Sequence, residues 1–250
     1  MKKKEKKHYK FGLVGKNISY SFSRGYFKEK FKNLGLENYS YVNFDLETIN
    51  AFKAIAENTD TINGLNVTIP YKEVIIPFLQ CLDKDAEKIG AVNTIKVTKD
   101  GLKGYNTDVH GFQYTIEPHI KKHHTKALIL GTGGASKAVS FVLDSLGISH
   151  TYVSRKSGEN KYAYNDLTKE IIEEHTVIVN TTPLGTHPNI TDKPALPYHY
   201  ITPKHLLFDL IYNPEKTAFL KEGESQGATI CNGEKMLEIQ AEKAWDIWNE

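Results

Sequence analysis

The stretch from Lys126 to Leu146 constrains the fold of this chain most, because an apolar run, a glycine-dense turn and an amphipathic segment follow one another without interruption. Ala127-Leu128-Ile129-Leu130 has no polar break, as a parallel strand covered on both faces requires. Gly131-Thr132-Gly133-Gly134-Ala135-Ser136 then turns the chain. Ala138, Val139, Val142, Leu143 and Leu146 keep helical spacing, and Gly147 stands where a left-handed cap would close the helix. Glycines suit such a turn because the backbone must bend tightly and approach a pyrophosphate closely, while the helix N-terminus presents free N–H groups to it. Position 136 holds Ser where the G-x-G-x-x-G pattern has its third Gly, so the turn alone also fits a purely structural βα connection. A second apolar run, Thr151-Tyr152-Val153, follows at βαβ spacing and favours dinucleotide binding by residues 131 to 136.

An NAD-binding fold usually ends its second strand on an acidic residue that bonds the adenosine ribose. This chain has Ser154-Arg155-Lys156 there. A hydroxyl and two cations suit a 2′-phosphate, which Arg grips with a planar pair of donors and Lys neutralises, so NADP(H) is the expected cofactor. The plainer alternative is a solvated basic turn.

The 250 residues suffice for one large domain or two smaller ones, and 40% hydrophobic with 25% charged residues is an ordinary globular balance. No apolar run approaches membrane-spanning length, so no membrane association is expected. The net charge of +2 hides an asymmetry, because the first ten residues hold six Lys and one Glu, net +5, leaving −3 for the rest. Residues 1–9 read as a flexible, solvated basic arm without the apolar segment of a signal peptide; nucleic-acid binding is not expected from it. Cys81 and Cys231 are isolated, which fits neither a disulfide framework nor a metal site and points to a reducing cytoplasm. His119, His123 and His124 lie in a polar loop after Pro118, a poor setting for a helical metal pair, and no metal is expected.

Ahead of the glycine turn, strand and helix periodicities alternate. Residues 11–15 read as a strand. From Arg24 onward Phe27, Phe31 and Leu34 share a helix face, with Ser23 as N-cap and Gly35 as stop. Residues 39–44 alternate as a strand, 46–57 pattern as a helix, and 64–69 form a strand ended by Pro70. A strand over 91–97 joins 102–105 through the Asp100-Gly101 turn, and helical spacing resumes over 109–116. The alternation predicts an α/β protein, with a domain boundary before the cofactor strand.

Several separated strings, read together, resemble the shikimate dehydrogenase family. They are Ser21 with Ser23, N-V-T-I-P-Y-K-E at 66–73, A-V-N-T at 91–94, N-T-D at 106–108, the glycine turn, N-T-T-P-L-G at 180–185, D-L-I-Y-N-P at 209–214, and Gly233 with Met236, Leu237 and Gln240. The resemblance implies NADPH-dependent, reversible reduction of 3-dehydroshikimate to shikimate, in the route to chorismate and the aromatic amino acids. It implies two α/β domains: a substrate-binding and catalytic domain over 1–106 and a Rossmann-type dinucleotide-binding domain over 107–232, with the active site in the cleft between them. A helix over 233–250 would return to the first domain, and the protein would be a monomer or homodimer.

Carried over by position, the resemblance makes Lys72 and Asp108 the catalytic pair. Hydride delivery to a carbonyl leaves negative charge on oxygen, which a positioned ammonium stabilises and protonates. Ser21 and Ser23 would bind the substrate carboxylate, Asn66, Thr68, Asn93 and Gln240 would lie near the ring hydroxyls, and Tyr212 would close that end of the cleft. Thr181, Leu210 and Gly233 join the cofactor-binding residues. Each also has a plainer local reading: Lys72 as a solvated lysine, Asp108 and Ser23 as helix caps, Asn93 as a strand end, Tyr212 as a half-buried aromatic. The family pattern around the serines is G-N-P-I-x-H-S-x-S-P, from which Asn17, Tyr20 and Arg24 depart, leaving open the preference between shikimate and quinate. Glu234, Lys235 and Glu238 add unusual charge near the C-terminus and are expected to face solvent. The alternatives are a quinate/shikimate dehydrogenase of broader specificity and an inactive sensor of NADP and shikimate; a sensor has no need of Lys72 with Asp108.

Overall fold

The computed structural model describes residues 7–19 and 21–250; the first six residues of the basic arm and the off-pattern Tyr20 lie outside them. The chain packs as two compact α/β units, one comprising the chain up to Thr107 with Ala241–Glu250, the other Asp108–Gln240.

The first unit is built on a mixed six-stranded sheet. Its elements are β1 (Tyr9–Gly15), α1 (Phe22–Asn33), β2 (Tyr39–Asp45), α2 (Phe52–Ala56), β3 (Gly64–Val67), β4 (Cys81–Leu82), α3 (Lys84–Ile89), β5 (Thr94–Thr98) and β6 (Gly101–Tyr105). The strand order is β2-β1-β3-β5-β6-β4, with β5 antiparallel to β3 and β6. Along β1 the side chains alternate between faces: Phe11 and Leu13 enter a cluster with Phe27, Phe31 and Trp248, while Val14 joins Phe52, Leu65 and Ile95 on the other face. Trp248 anchors the C-terminal segment here, its indole donating to the Ile95 carbonyl at 3.0 Å. The ring lies so close to Gly64 that a Cβ at that position would sit 2.3 Å from it.

Three local expectations are corrected. The first helix is capped by Ser21, whose side chain accepts from the Ser23 N–H at 3.2 Å, so Ser23 falls inside the first turn and is buried. The helix expected over 46–57 is a 3₁₀ turn at Ile49–Ala51 followed by the five-residue α2. Thr48 makes no side-chain cap there, and Thr, Ile and Asn are weak helix formers. The strand expected from residue 91 begins at Thr94, although Asn93 already pairs through its N–H to the Tyr105 carbonyl at 3.0 Å.

The second unit comprises α4 (Asp108–Ile116), β7 (Lys126–Leu130), α5 (Gly134–Ser145), β8 (Ser149–Ser154), β9 (Lys161–Ala163), α6 (Lys169–Glu174), β10 (Val177–Asn180), β11 (Leu206–Asp209), α7 (Ala218–Ser225) and β12 (Thr229–Cys231). All six strands run parallel, in the order β12-β11-β10-β7-β8-β9. In chain order this is the doubly wound dinucleotide-binding arrangement, which reverses between β7 and β10 and so opens a crevice beyond their C-terminal ends. Both faces of the sheet are covered: Ala127 and Ile129 of β7 join one core, Leu128 and Leu130 the other. The last helix, α8 (Glu234–Asn249), contributes Met236 to the core of this unit and Ala241, Ala244, Ile247 and Trp248 to the core of the first. Lys235 and Glu238 on it pair at 2.9 Å, and Glu234 is exposed.

Candidate functional site

A pocket of about 730 Å³ opens in the second unit at the crevice its strand order defines. Gly131 and Thr132 from the turn after β7, and Ser154, Arg155 and Lys156 from the end of β8, line it as the sequence places them. Gly131 is at φ +105°, and a Cβ there would meet Thr181 Oγ1 at 2.8 Å, so the position needs glycine on both counts. Thr181 is held against the same turn, its hydroxyl donating to the Leu130 carbonyl at 2.7 Å. α5 follows with Gly133 as N-cap and no side-chain cap, and a Cβ on Gly133 would meet open space. Gly134 and Ala135 open the helix, while the Ser136 N–H already donates to the Gly133 carbonyl at 2.9 Å. Ser136 stands in for the third glycine by folding inward: it is buried, and its hydroxyl donates to the Gly133 carbonyl at 2.7 Å.

The basic end of β8 is shaped by Ser154, whose hydroxyl donates to the Lys156 carbonyl at 2.9 Å while Arg155 and Lys156 stay exposed. No carboxylate occupies the end of the strand. The pocket also has walls that sequence reasoning did not assign: Val153, Tyr164, and Thr182, Pro183 and Leu184. Tyr164 follows the short β9 and is half-buried, and burial raises its phenol above the ordinary tyrosine range. Its only signal in the sequence is an aromatic shortly after the basic turn. Thr182 to Leu184 belong to the N-T-T-P-L-G string at 180–185.

A buried carboxylate braces this wall. Asp209, at the end of β11, is fully buried, and burial pushes it up to about 7 against hydrogen bonds that pull it down. Its Oδ2 accepts from Thr217 Oγ1 at 2.6 Å, and its Oδ1 from the Ile211 N–H at 3.1 Å and Asn180 Nδ2 at 3.0 Å. Asn180 Oδ1 in turn accepts from the Thr182 N–H at 3.0 Å and the Thr182 hydroxyl at 2.7 Å. Leu210 and Gly233 lie beside this network: the Leu210 N–H donates to the Asn180 carbonyl at 3.0 Å, and Gly233 packs so tightly that a Cβ would fall 2.1 Å from the Leu210 carbonyl oxygen. Tyr212, half-buried, and Gln240, half-buried in α8, are also in this unit. Asp108 opens α4 and is 5% exposed. Among the described residues no cluster of His, Cys, Asp and Glu suits a metal; His123 and His124 both reach the Lys204 carbonyl, each at 3.0 Å.

In the first unit, Asn66 and Asn93 belong to one buried polar chain, and Ser23 is buried as well. Tyr41 Oη donates to Asn66 Oδ1 at 2.7 Å, and Asn66 Nδ2 faces Thr94 Oγ1 at 3.2 Å. Thr94 Oγ1 donates to Asn93 Oδ1 at 3.1 Å, which also accepts the Thr107 N–H at 2.7 Å. Thr68 and Lys72 lie in the turns after β3; Thr68 donates its N–H to the Val14 carbonyl at 2.9 Å, and the Lys72 carbonyl accepts from the Val92 N–H at 2.7 Å. Lys72 itself is half-buried, neither a freely solvated lysine nor a core residue. The off-pattern Asn17 sits at φ +55° with its N–H on Asp45 Oδ1 at 2.7 Å, a conformation and a bond that the proline of the family pattern could not supply. Arg24 is exposed.

A profile of the shikimate dehydrogenase substrate binding domain matches residues 13–95. The NADP(+) shikimate dehydrogenase of Methanosphaera stadtmanae is 38% identical, over 95% of this chain and 90% of its own. That of Clostridium beijerinckii is 39% identical, over 96% of this chain and 92% of its own. The structure of shikimate 5-dehydrogenase from Thermus thermophilus, in complex with NADP(H) and shikimate, superposes with a TM-score of 0.84 at 29% identity, covering 96% of this chain and 92% of that one.

Proposed function

Because the chain belongs to the shikimate dehydrogenase family, we propose that it interconverts 3-dehydroshikimate and shikimate with NADP(H), in the pathway leading to aromatic amino acids. The observation that carries this is the pocket of the second unit, where a glycine turn at an uncapped helix N-terminus adjoins Arg155 and Lys156. These residues fit the dinucleotide: the turn and the first N–H groups of α5 take the pyrophosphate, and the two cations take a 2′-phosphate. NADP(H) supplies or accepts the hydride when bound.

The chain's own residues do the rest. Lys72 stabilises the charge that develops on the ring oxygen and exchanges a proton with it, and Asp108 is the second residue of the catalytic pair. Ser21 and Ser23 donate to the substrate carboxylate, and Asn66, Thr68, Asn93 and Gln240 pair with the ring hydroxyls, neutral partners suited to a polyol. Tyr212 closes the end of the site. The two free cysteines fit a cytoplasmic setting. The test supplies 3-dehydroshikimate and NADPH to the purified protein and follows NADPH consumption, with 3-dehydroquinate in parallel. Consumption with 3-dehydroshikimate is expected. If both ligands bind by calorimetry and neither ketone is reduced, the protein is a sensor and the enzyme reading fails.

A further inference from the structure

The polar chain in the first unit has a direction, and the direction singles out a residue absent from the substrate-side assignments. Tyr41, on β2, is 8% exposed, its ring stacked on Phe27 with 4.7 Å between centroids. The Asn93 carbonyl can only accept, so the end of the Asn66 amide turned to it at 3.4 Å is Nδ2. Asn66 Oδ1 is left facing the phenol at 2.7 Å, and the phenol must be the donor. Burial holds the phenol neutral far above the ordinary tyrosine range, so this arrangement persists at any working pH.

We propose that Tyr41 is a positioning residue for the substrate, its hydroxyl holding the Asn66 amide, a partner of the ring hydroxyls, in place through Oδ1. This rests on the shikimate reading above. Without the hydroxyl, Asn66 Oδ1 loses its donor in a buried setting and the amide is held only through Nδ2, by the Asn93 carbonyl and Thr94 Oγ1, while the ring stacking on Phe27 is retained.

The test is a double-mutant cycle on Tyr41→Phe and Asn66→Ala, read as KM for shikimate, KM for NADP, kcat, the calorimetric affinity for shikimate and thermal stability. Tyr41→Phe should raise the shikimate KM roughly tenfold, the equivalent of one buried hydrogen bond, with kcat and the NADP KM close to wild type. Because Tyr41 acts through Asn66, the double variant should have the shikimate KM of Asn66→Ala alone. Effects that multiply, or a Tyr41→Phe protein that loses thermal stability while its shikimate affinity stays at wild type, overturn the assignment. Should Tyr41→Phe fail to fold, the double variant, which leaves no unpaired amide oxygen, decides by the same comparison with Asn66→Ala. A wild-type protein that does not oxidise shikimate overturns the functional reading itself; a wild-type enzyme impaired by Asn66→Ala but indifferent to Tyr41→Phe overturns only the role of Tyr41.

Discussion

Replacing Asp209 with Asn should make the protein more stable at pH 8, by an amount that shrinks as the pH falls toward ~4. The carboxyl holds its proton up to about 7 in the folded chain, against roughly 4 for an unfolded aspartate. A folded value raised in this way adds stability below pH ~4, which is lost progressively as the pH rises to ~7. Over about three pH units the loss approaches roughly 4 kcal/mol at the alkaline end. The hydrogen bond from Thr217, at 2.6 Å, is already contained in that shift as a downward pull. A neutral amide in the carboxyl's place avoids this loss, a gain of up to roughly 4 kcal/mol at pH 8.

Urea unfolding should be followed by far-UV circular dichroism, because both tryptophans, Trp245 and Trp248, report on the first unit only. His124 and His175 are lowered by burial, so they oppose the trend, adding stability as the pH rises through the ordinary histidine range. They are common to both proteins and cancel in the difference. Parallel stability curves from pH 5 to 8, or a variant weaker than wild type at pH 8 alone, would refute the reasoning.

Lys72→Ala should lower kcat by roughly 10²- to 10⁴-fold, with cofactor affinity, measured by NADPH fluorescence, almost unchanged; a near wild-type kcat removes its catalytic role. Arg155→Ala should weaken NADP by roughly 10-fold or more and leave NAD nearly unaffected, seen as a fall in the ratio of kcat/KM for the two cofactors. Trp248→Ala removes an indole that is 8% exposed, together with its bond to the Ile95 carbonyl, and should cost about 3 to 5 kcal/mol in equilibrium unfolding. A loss under about 1 kcal/mol would mean that the C-terminal segment is not held by that ring.

What was legible in the sequence follows from periodicity and from special backbone. β7, the turn at 131 to 136 and α5 stood out because a continuous apolar strand, a glycine cluster and a helical stripe each carry a pattern. The region beyond residue 160 did not, since β9, β10, β11 and β12 have only three or four residues each, too short to separate from any other apolar run. Ser21 and Ser23 are equally good caps by residue type, and only the local geometry separates them. Tyr164 and the Asp209 network have no local signature: the first depends on where a short edge strand delivers the chain, the second on three segments meeting around one carboxylate. Tyr41 reads as one of several aromatics alternating along β2, and its hydroxyl acquires meaning only through Asn66 on another strand.

The most direct test of the account is to mix the purified protein with shikimate and NADP, and in a parallel cell with NAD, and follow the near-ultraviolet absorbance of the reduced nicotinamide. The account predicts shikimate-dependent formation of NADPH with kcat/KM for NADP well above that for NAD. No reduction of either cofactor at saturating shikimate, or a preference for NAD, would contradict it.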